Sequence, residues 1–428
     1  MDSAIIVLII LTLMLVMFIW NKVPIATTSI IGVLAFIIFV PEITFAAAFR
    51  GFGSDMLFLI IGMVVVGNAL FETGAAGYLG ELIMRHVGTN EKVFIVVIIL
   101  VSVTISLFMS NTAAAALMLP IVAACVGSSG GKLSKKNSFM MVAIAVCVGG
   151  GITVVSSPPQ IIAQGFLEAG GHQPMSFFEI GWFGIPLTVL LILFYLTIGM
   201  KLQKKVFTFP EVEEEAPKRV MAPVLVERNY LKMLIAVSIL LFCVVGFITV
   251  DHHPLTMGTI ALLGATACVV TRCIPERRVF ERMDWTTVVI MGTSFGIATA
   301  LELSGAGEMV ANGFIGLLGD NINQFMFLGA LSFVCIVLTN FMSSTAAASI
   351  LIPIGAFAAI GAGLDVRPAV MIVAVSTNIG YATPISTPPM TMALRGGYRF
   401  MDYVKVGGLF NLLAFGLVLL LIPLVFGV

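Results

Sequence analysis

Two polar triplets interrupt long apolar runs: Ser110-Asn111-Thr112 and Ser343-Ser344-Thr345, each followed at once by three alanines. Ser, Asn and Thr are preferred helix N-caps, so each triplet predicts a turn into the Ala-rich helix behind it. A helix N-terminus offers free N–H groups and a partial positive charge, which suits an anion. Carbonyl and hydroxyl oxygens freed on the other side of such a break suit a hard cation such as sodium. A second pair of interruptions runs from Gly149-Gly150-Gly151 to Ser156-Ser157-Pro158-Pro159, and from Asn378 to Ser386-Thr387-Pro388-Pro389. Proline removes a backbone donor and clashes with the preceding turn, while glycine weakens a helix, so Pro-Pro in mid-span predicts a broken helix. No Lys, Arg, Asp or Glu lies in these triplets or breaks. An anion there must be held by helix ends, hydroxyls, amides and neighbouring cations. A buried carboxylate relay for protons has no candidate, which favours coupling to sodium.

The elements that must position these residues are membrane spans. Of 428 residues, 59% are hydrophobic and 10% charged, with a mean hydropathy of +1.12. A soluble domain carries about 25% charged residues, so this chain cannot cover itself in water. Apolar runs of spanning length lie near 4–20, 23–40, 55–72, 138–167, 176–200, 231–250, 254–272, 285–302, 367–394 and 403–427. Two further stretches, 92–127 and 324–361, carry the polar triplets at their centres and read as re-entrant hairpins. The first run lacks a basic segment and a cleavage site, and reads as a retained span. Zero net charge leaves no surface for nucleic acid. The six cysteines lack metal spacing and read as small buried hydrophobes.

The halves repeat one another. The triplets stand 233 residues apart, as do Pro120 and Pro353; Pro158 and Pro388 stand 230 apart, as do Pro24 and Pro254, and Gly62 and Gly292. A lone Ser/Thr cluster is ordinary helix-packing glue, and a lone Pro-Pro is an ordinary kink. Their recurrence in order at a steady offset is not. Breaks at matching positions of two halves are the best sequence pointer to a transporter's binding site.

The expected fold is therefore an all-α integral membrane protein of two inverted-topology repeats. Each has five spans, one re-entrant hairpin and a broken helix. Residues 1–200 form the first repeat (hairpin 92–127, broken span 138–167) and 201–230 a cytoplasmic linker containing Glu213-Glu214-Glu215. Residues 231–428 form the second (hairpin 324–361, broken span 367–394). Five crossings per half invert the second half. With both termini outside, every basic residue except Arg50 and Arg367 falls in the cytoplasm, as the positive-inside rule asks.

Ser110-Asn111-Thr112-Ala-Ala-Ala-Ala-Leu-Met-Leu-Pro120 resembles the Ser-Asn-Thr signature of the divalent-anion:sodium symporter family. That family carries the motif at each hairpin tip and follows it with a Thr-Pro-Pro segment. Ser157-Pro158-Pro159 and Thr387-Pro388-Pro389 fill those places here. The resemblance covers nearly the whole chain. It implies two sodium sites, one from Ser106, Ser110, Asn111 and backbone near Ser156. The other would use Thr339, backbone near Met342, Ser344 and backbone near Ser386. It implies a dianion, a C4-dicarboxylate or sulfate, between the tips, with Ser110, Asn111, Thr112, Ser157, Pro158, Ser343, Ser344, Thr345, Thr387 and Pro388 as its neighbours. It also implies co-transported sodium without an organic cofactor, and a homodimer in the cell (inner) membrane working by an elevator motion.

The sequence departs from the family pattern at Ser344, where Asn is expected; the shorter side chain lacks an amide carbonyl and two donors. The Asn that often follows Pro-Pro is Gln160 in one half and Met390 in the other. A proton-coupled or exchange-type oxyanion transporter of the wider superfamily is the alternative. A membrane enzyme would need a nucleophile–base pair or metal cluster inside the spans. The four histidines, His86, His172, His252 and His253, all fall in connections.

Overall fold

The computed structural model describes residues 2–20, 22–75, 77–78, 90–129, 132–210, 229–252, 254–318 and 323–428. Arg85, His86, His253 and the Glu213 to Glu215 run lie outside them. The described residues are helical, with no strand among them. We number the main helices α1 (Ser3–Trp20), α2 (Ile25–Phe39), α3 (Asp55–Glu72), α4 (Glu91–Ser106), α5 (Asn111–Ser128), α6 (Lys135–Gly149), α7 (Pro158–Ala169) and α8 (Gly181–Phe194). A π turn, Tyr195–Gly199, continues α8 into Met200–Val206. The second half holds α9 (Tyr230–Ile248), α10 (Met257–Val270), α11 (Trp285–Leu303), α12 (Ala306–Leu318), α13 (Gln324–Thr339), α14 (Ser344–Gly361), α15 (Val366–Thr377), α16 (Pro388–Ala393) and α17 (Phe400–Phe426). Seven helices among the described residues are long and apolar enough to cross a membrane. Helix α12 stands where the sequence reading places no element. It is short, glycine-containing and carries Glu308 in its first turn, so it lacks the signal of a span.

Local sequence sets the ends. Ser54, Asn90, Thr256, Asp284, Asn323 and Asp365 each cap the helix that follows by accepting a backbone N–H. Each such cap is worth about 1 kcal/mol. Burial then separates the helices. Nearly every residue of α6 and α15 is buried, as expected of helices apolar on all faces inside a bundle. Helices α1, α9 and α17 bury only about a third of their residues and turn apolar side chains outward.

Packing sorts the helices into two groups. In one, α3 lies along α10, α2 along α11 and α9 along α10. Gly62 makes the α3–α10 crossing possible, since a Cβ there would stand 2.5 Å from the Ala261 carbonyl carbon. In the other group, the hairpins α4–α5 and α13–α14 enclose the broken pairs α6–α7 and α15–α16. These pairs brace each other: α5 packs on α16, α14 on α7, α16 on α6 and α15 on α7. Helices α3 and α11 of the first group touch α7, and α11 and α12 touch α14.

Polar contacts tie the helix ends in two sets. One set joins Ser3 Oγ to Glu42 (3.0 Å), Asp55 to the Gly258 N–H (2.9 Å) and Arg367 to Glu179 (2.7 Å). The other joins Glu91 to Lys204 (2.7 Å), Glu72 to Arg282 (2.6 Å) and Lys136 to the Phe209 carbonyl (2.8 Å).

Candidate functional site

In the first half the chain leaves α4 at Ser106 and enters α5 at Asn111, with Ser110 as N-cap accepting from the Ala113 N–H at 3.3 Å. Buried Ser106 Oγ lies 2.9 Å from Asn111 Oδ1 and 2.8 Å from the Val146 carbonyl of α6. Its single proton serves one acceptor at a time, so three oxygens converge on one hydrogen. Helix α6 ends at Gly149 and α7 begins at Pro158; the segment between them bonds the hairpin tip. The Thr153 and Ser156 hydroxyls lie 2.9 and 2.6 Å from the Leu107 carbonyl and against each other, and their two protons serve two of these three contacts at a time. Gly150 leaves room for the Asn111 amide, because a Cβ would stand 2.1 Å from Asn111 Oδ1 and push it aside.

The second half repeats this plan with other chemistry. Ser343 caps α14 through the Ala346 N–H at 3.3 Å. Thr339 Oγ1 donates to the Thr377 carbonyl at 2.8 Å, and the Ser344 N–H donates to the Ser386 carbonyl at 2.9 Å. Ser386 Oγ donates to the Gly380 carbonyl, with the Thr383 carbonyl a second acceptor within reach at 3.1 Å. Met342 is buried within the tip. Thr112, Thr345 and Pro388 are not buried, and each stands in the first two positions of its helix.

The two breaks then meet. Ser157 Oγ donates to Asn378 Oδ1 at 2.7 Å, and Thr387 Oγ1 lies 3.3 Å from Cys147 Sγ. Both links run from one half to the other. Each hairpin tip is thus joined to its own break, and the breaks are joined to each other. A cavity of about 30 Å³ borders this core, lined by Ser110, Ser156, Ser157 and Pro158 together with Phe108, Met63, Asp284 and Thr287. Asp284 caps its own helix through Thr287, and Asp55 ties α3 to the N-terminus of α10. A larger cleft, about 820 Å³, lies beside Trp182, Phe247 and Arg367 and contains none of the tip or break residues.

Several of these partners were not expected as site residues. Asn340 Oδ1 accepts the Ala382 N–H (3.0 Å) and Asn411 Nδ2 (3.1 Å), while Asn411 Oδ1 accepts the Tyr381 N–H at 3.0 Å. Asn411 thereby satisfies broken-helix backbone from α17. Its only sequence signal is an amide inside a long apolar span, where polar groups are costly.

Comparison with known proteins gives the same architecture and a family. The citrate transporter family, CitMHS, matches residues 15–365. The chain belongs to that family. The Escherichia coli uncharacterized transporter YfbS is 30% identical over 156 residues, covering 36% of this chain and 25% of YfbS. The sodium-dependent dicarboxylate transporter SdcS of Staphylococcus saprophyticus is 23% identical over 307 residues, covering 64% of this chain and 57% of SdcS. The chain therefore spans less than two thirds of the length of either relative. Among solved structures, the Alcanivorax borkumensis YdaH transporter superposes with a TM-score of 0.62 at 14% identity, covering 90% of this chain and 87% of that one. This citrate transporter family member is a multi-pass membrane protein, and its two breaks meet across the halves through Ser157–Asn378 and Cys147–Thr387.

Proposed function

We propose that the protein is a sodium-coupled symporter of a small divalent anion, a C4-dicarboxylate or sulfate. The carrying observation is the convergence of Ser106 Oγ, Asn111 Oδ1 and the Val146 carbonyl at the start of α5. Neutral oxygens suit a monovalent hard cation, and the adjacent N-terminus of an 18-residue helix suits an anion. A cation and an anion bound side by side offset each other's cost of leaving water, which couples their binding. The second sodium position would use Thr339, backbone near Met342, Ser344 and backbone near Ser386. The dianion would sit against Ser110, Asn111, Thr112, Ser157, Pro158, Ser343, Ser344, Thr345, Thr387 and Pro388. A relative whose name specifies sodium-dependent dicarboxylate transport supports this reading.

The alternating motion is an elevator, in which α4–α7 and α13–α16 slide against α1–α3 and α9–α11. The gathering of all the breaks and tips in one of these groups supports it, with α3 and α11 as the surface along which that group would slide. We also propose two inverted repeats with both termini outside the cell membrane and linker 201–230 in the cytoplasm. The two sets of end contacts support the crossing count, since each joins only residues that it puts on the same side, and the bias of basic residues gives the direction. Assembly as a homodimer follows from the family resemblance alone.

Uptake of labelled succinate and labelled sulfate into proteoliposomes, each with and without an inward sodium gradient, tests the proposal. Sodium-driven uptake of either anion is expected. Uptake that follows a proton gradient and ignores sodium would replace this reading with the proton-coupled alternative.

A further inference from the structure

Gln160 is fully buried, and neither its Nε2 nor its Oε1 has a hydrogen-bond partner. A buried carboxamide left unpaired is costly, and a bound ion or water at that place would relieve the cost. One turn further along α7, buried Gln164 shows the ordinary arrangement. Its Oε1 accepts the Met175 N–H at 2.7 Å, and its Nε2 donates to the Met175 carbonyl at 3.3 Å.

Ser157-Pro158-Pro159-Gln160 has the spacing of a capping box, in which the Ser hydroxyl accepts the Gln backbone N–H and the Gln amide oxygen accepts the Ser backbone N–H. The box does not form. Ser157 makes no side-chain cap and donates instead across to Asn378. The Gln160 amide reaches back over the break, with Nε2 4.0 Å from where a Cβ on Gly151 would stand. The Asn111 amide lies against the preceding residue, Gly150. Two carboxamides from different helices thus lie beside successive residues of the glycine run, Asn111 at Gly150 and Gln160 at Gly151, and Ser106 Oγ meets Asn111 Oδ1 and the Val146 carbonyl. Rotation of the Gln160 amide exchanges its nitrogen for its oxygen at that place. No charged residue lies in 138–167, so the oxygens there suit a monovalent cation better than a divalent one.

The second half lacks this arrangement. Met390 stands where Gln160 does, and Ser344 where Asn111 does. Its polar groups bond one another: Ser344 N–H to Ser386, Thr339 to Thr377, and Asn340 to Ala382 and Asn411.

We propose that Gln160 is a ligand of one dominant sodium site in the first half, shared with Ser106 and Asn111, and that the second half adds little sodium affinity. This rests on the sodium-coupled reading above. The test is thermal unfolding of the purified full chain against sodium concentration, with choline holding ionic strength constant. A ligand that binds only the folded state raises the unfolding temperature with a concentration dependence set by its affinity. The wild type should be stabilised with a single-site dependence. Gln160→Leu should raise the half-saturating sodium concentration by at least about tenfold. Gln164→Leu should lower the unfolding temperature without moving that concentration. Should Gln160→Leu fail to fold, Gln160→Glu supplies carboxylate oxygens and should lower the half-saturating concentration. A sodium-stabilised wild type with both Gln160 variants titrating alongside it overturns the ligand role and leaves the sodium-coupled reading standing. A wild type without any sodium response overturns both.

Discussion

Gly150→Ala puts the site geometry to a quantitative test. Gly150 has φ −63° and ψ −11°, a conformation alanine adopts freely, so the backbone contributes no penalty. The added methyl would stand 2.1 Å from Asn111 Oδ1, 2.6 Å from Nδ2 and 2.7 Å from Cγ. The Asn111 amide must swing away and lose its bond from Ser106, at a cost of about 1 kcal/mol. Overpacking in a close-packed interior adds about 1–3 kcal/mol. Reduced entropy of the unfolded chain returns about 0.4–1 kcal/mol, leaving a net destabilisation of about 1–3.6 kcal/mol. Denaturation in detergent should show that modest loss, while sodium-driven uptake should fall far more steeply. Asn111→Ala in the same chain removes the clash, so the double variant should be no less stable than Asn111→Ala alone. Wild-type uptake by Gly150→Ala would refute the reasoning, as would stabilities that add as if the two positions were independent, within about 0.5 kcal/mol.

Asn111→Ala by itself should abolish transport while leaving a folded protein; normal uptake would remove Asn111 from the site. Ser344→Asn restores the family's amide and should shift sodium affinity or anion preference, read as the sodium dependence of succinate against sulfate uptake. An unchanged profile would make that departure neutral. Ser157→Ala and Asn378→Leu remove the two ends of the bond between the halves. A double-mutant cycle on unfolding should return a coupling of about 1 kcal/mol, and zero coupling would mean the breaks are held by packing instead. Asn411→Leu leaves the Tyr381 N–H unsatisfied and takes one donor from Asn340. It should cost about 1–3 kcal/mol in stability, and wild-type stability would show that another group replaces the amide.

Much of this protein is fixed locally and is therefore legible along the chain. Apolar runs set the spans, because hydrocarbon admits only helices whose backbone groups are satisfied within the segment. Ser110 and Ser343 start their helices as N-caps, and the Pro-Pro pairs sit at the first positions of α7 and α16, since capping and proline sterics act over a few residues. The Ser-x-x-Gln spacing at Ser157 and Gln160 could form a local capping box, yet none forms, for the converse reason. Its local bonds compete with a partner 221 positions away, and the tertiary bond to Asn378 prevails. Only the tertiary structure decides that the two breaks brace each other and that an asparagine of α17 completes one of them. It also decides that Gln160 is left open while Gln164 is satisfied. Those outcomes depend on which backbone groups the folded helices bring within 3 Å of a side chain, and spacing along the chain carries no measure of that distance.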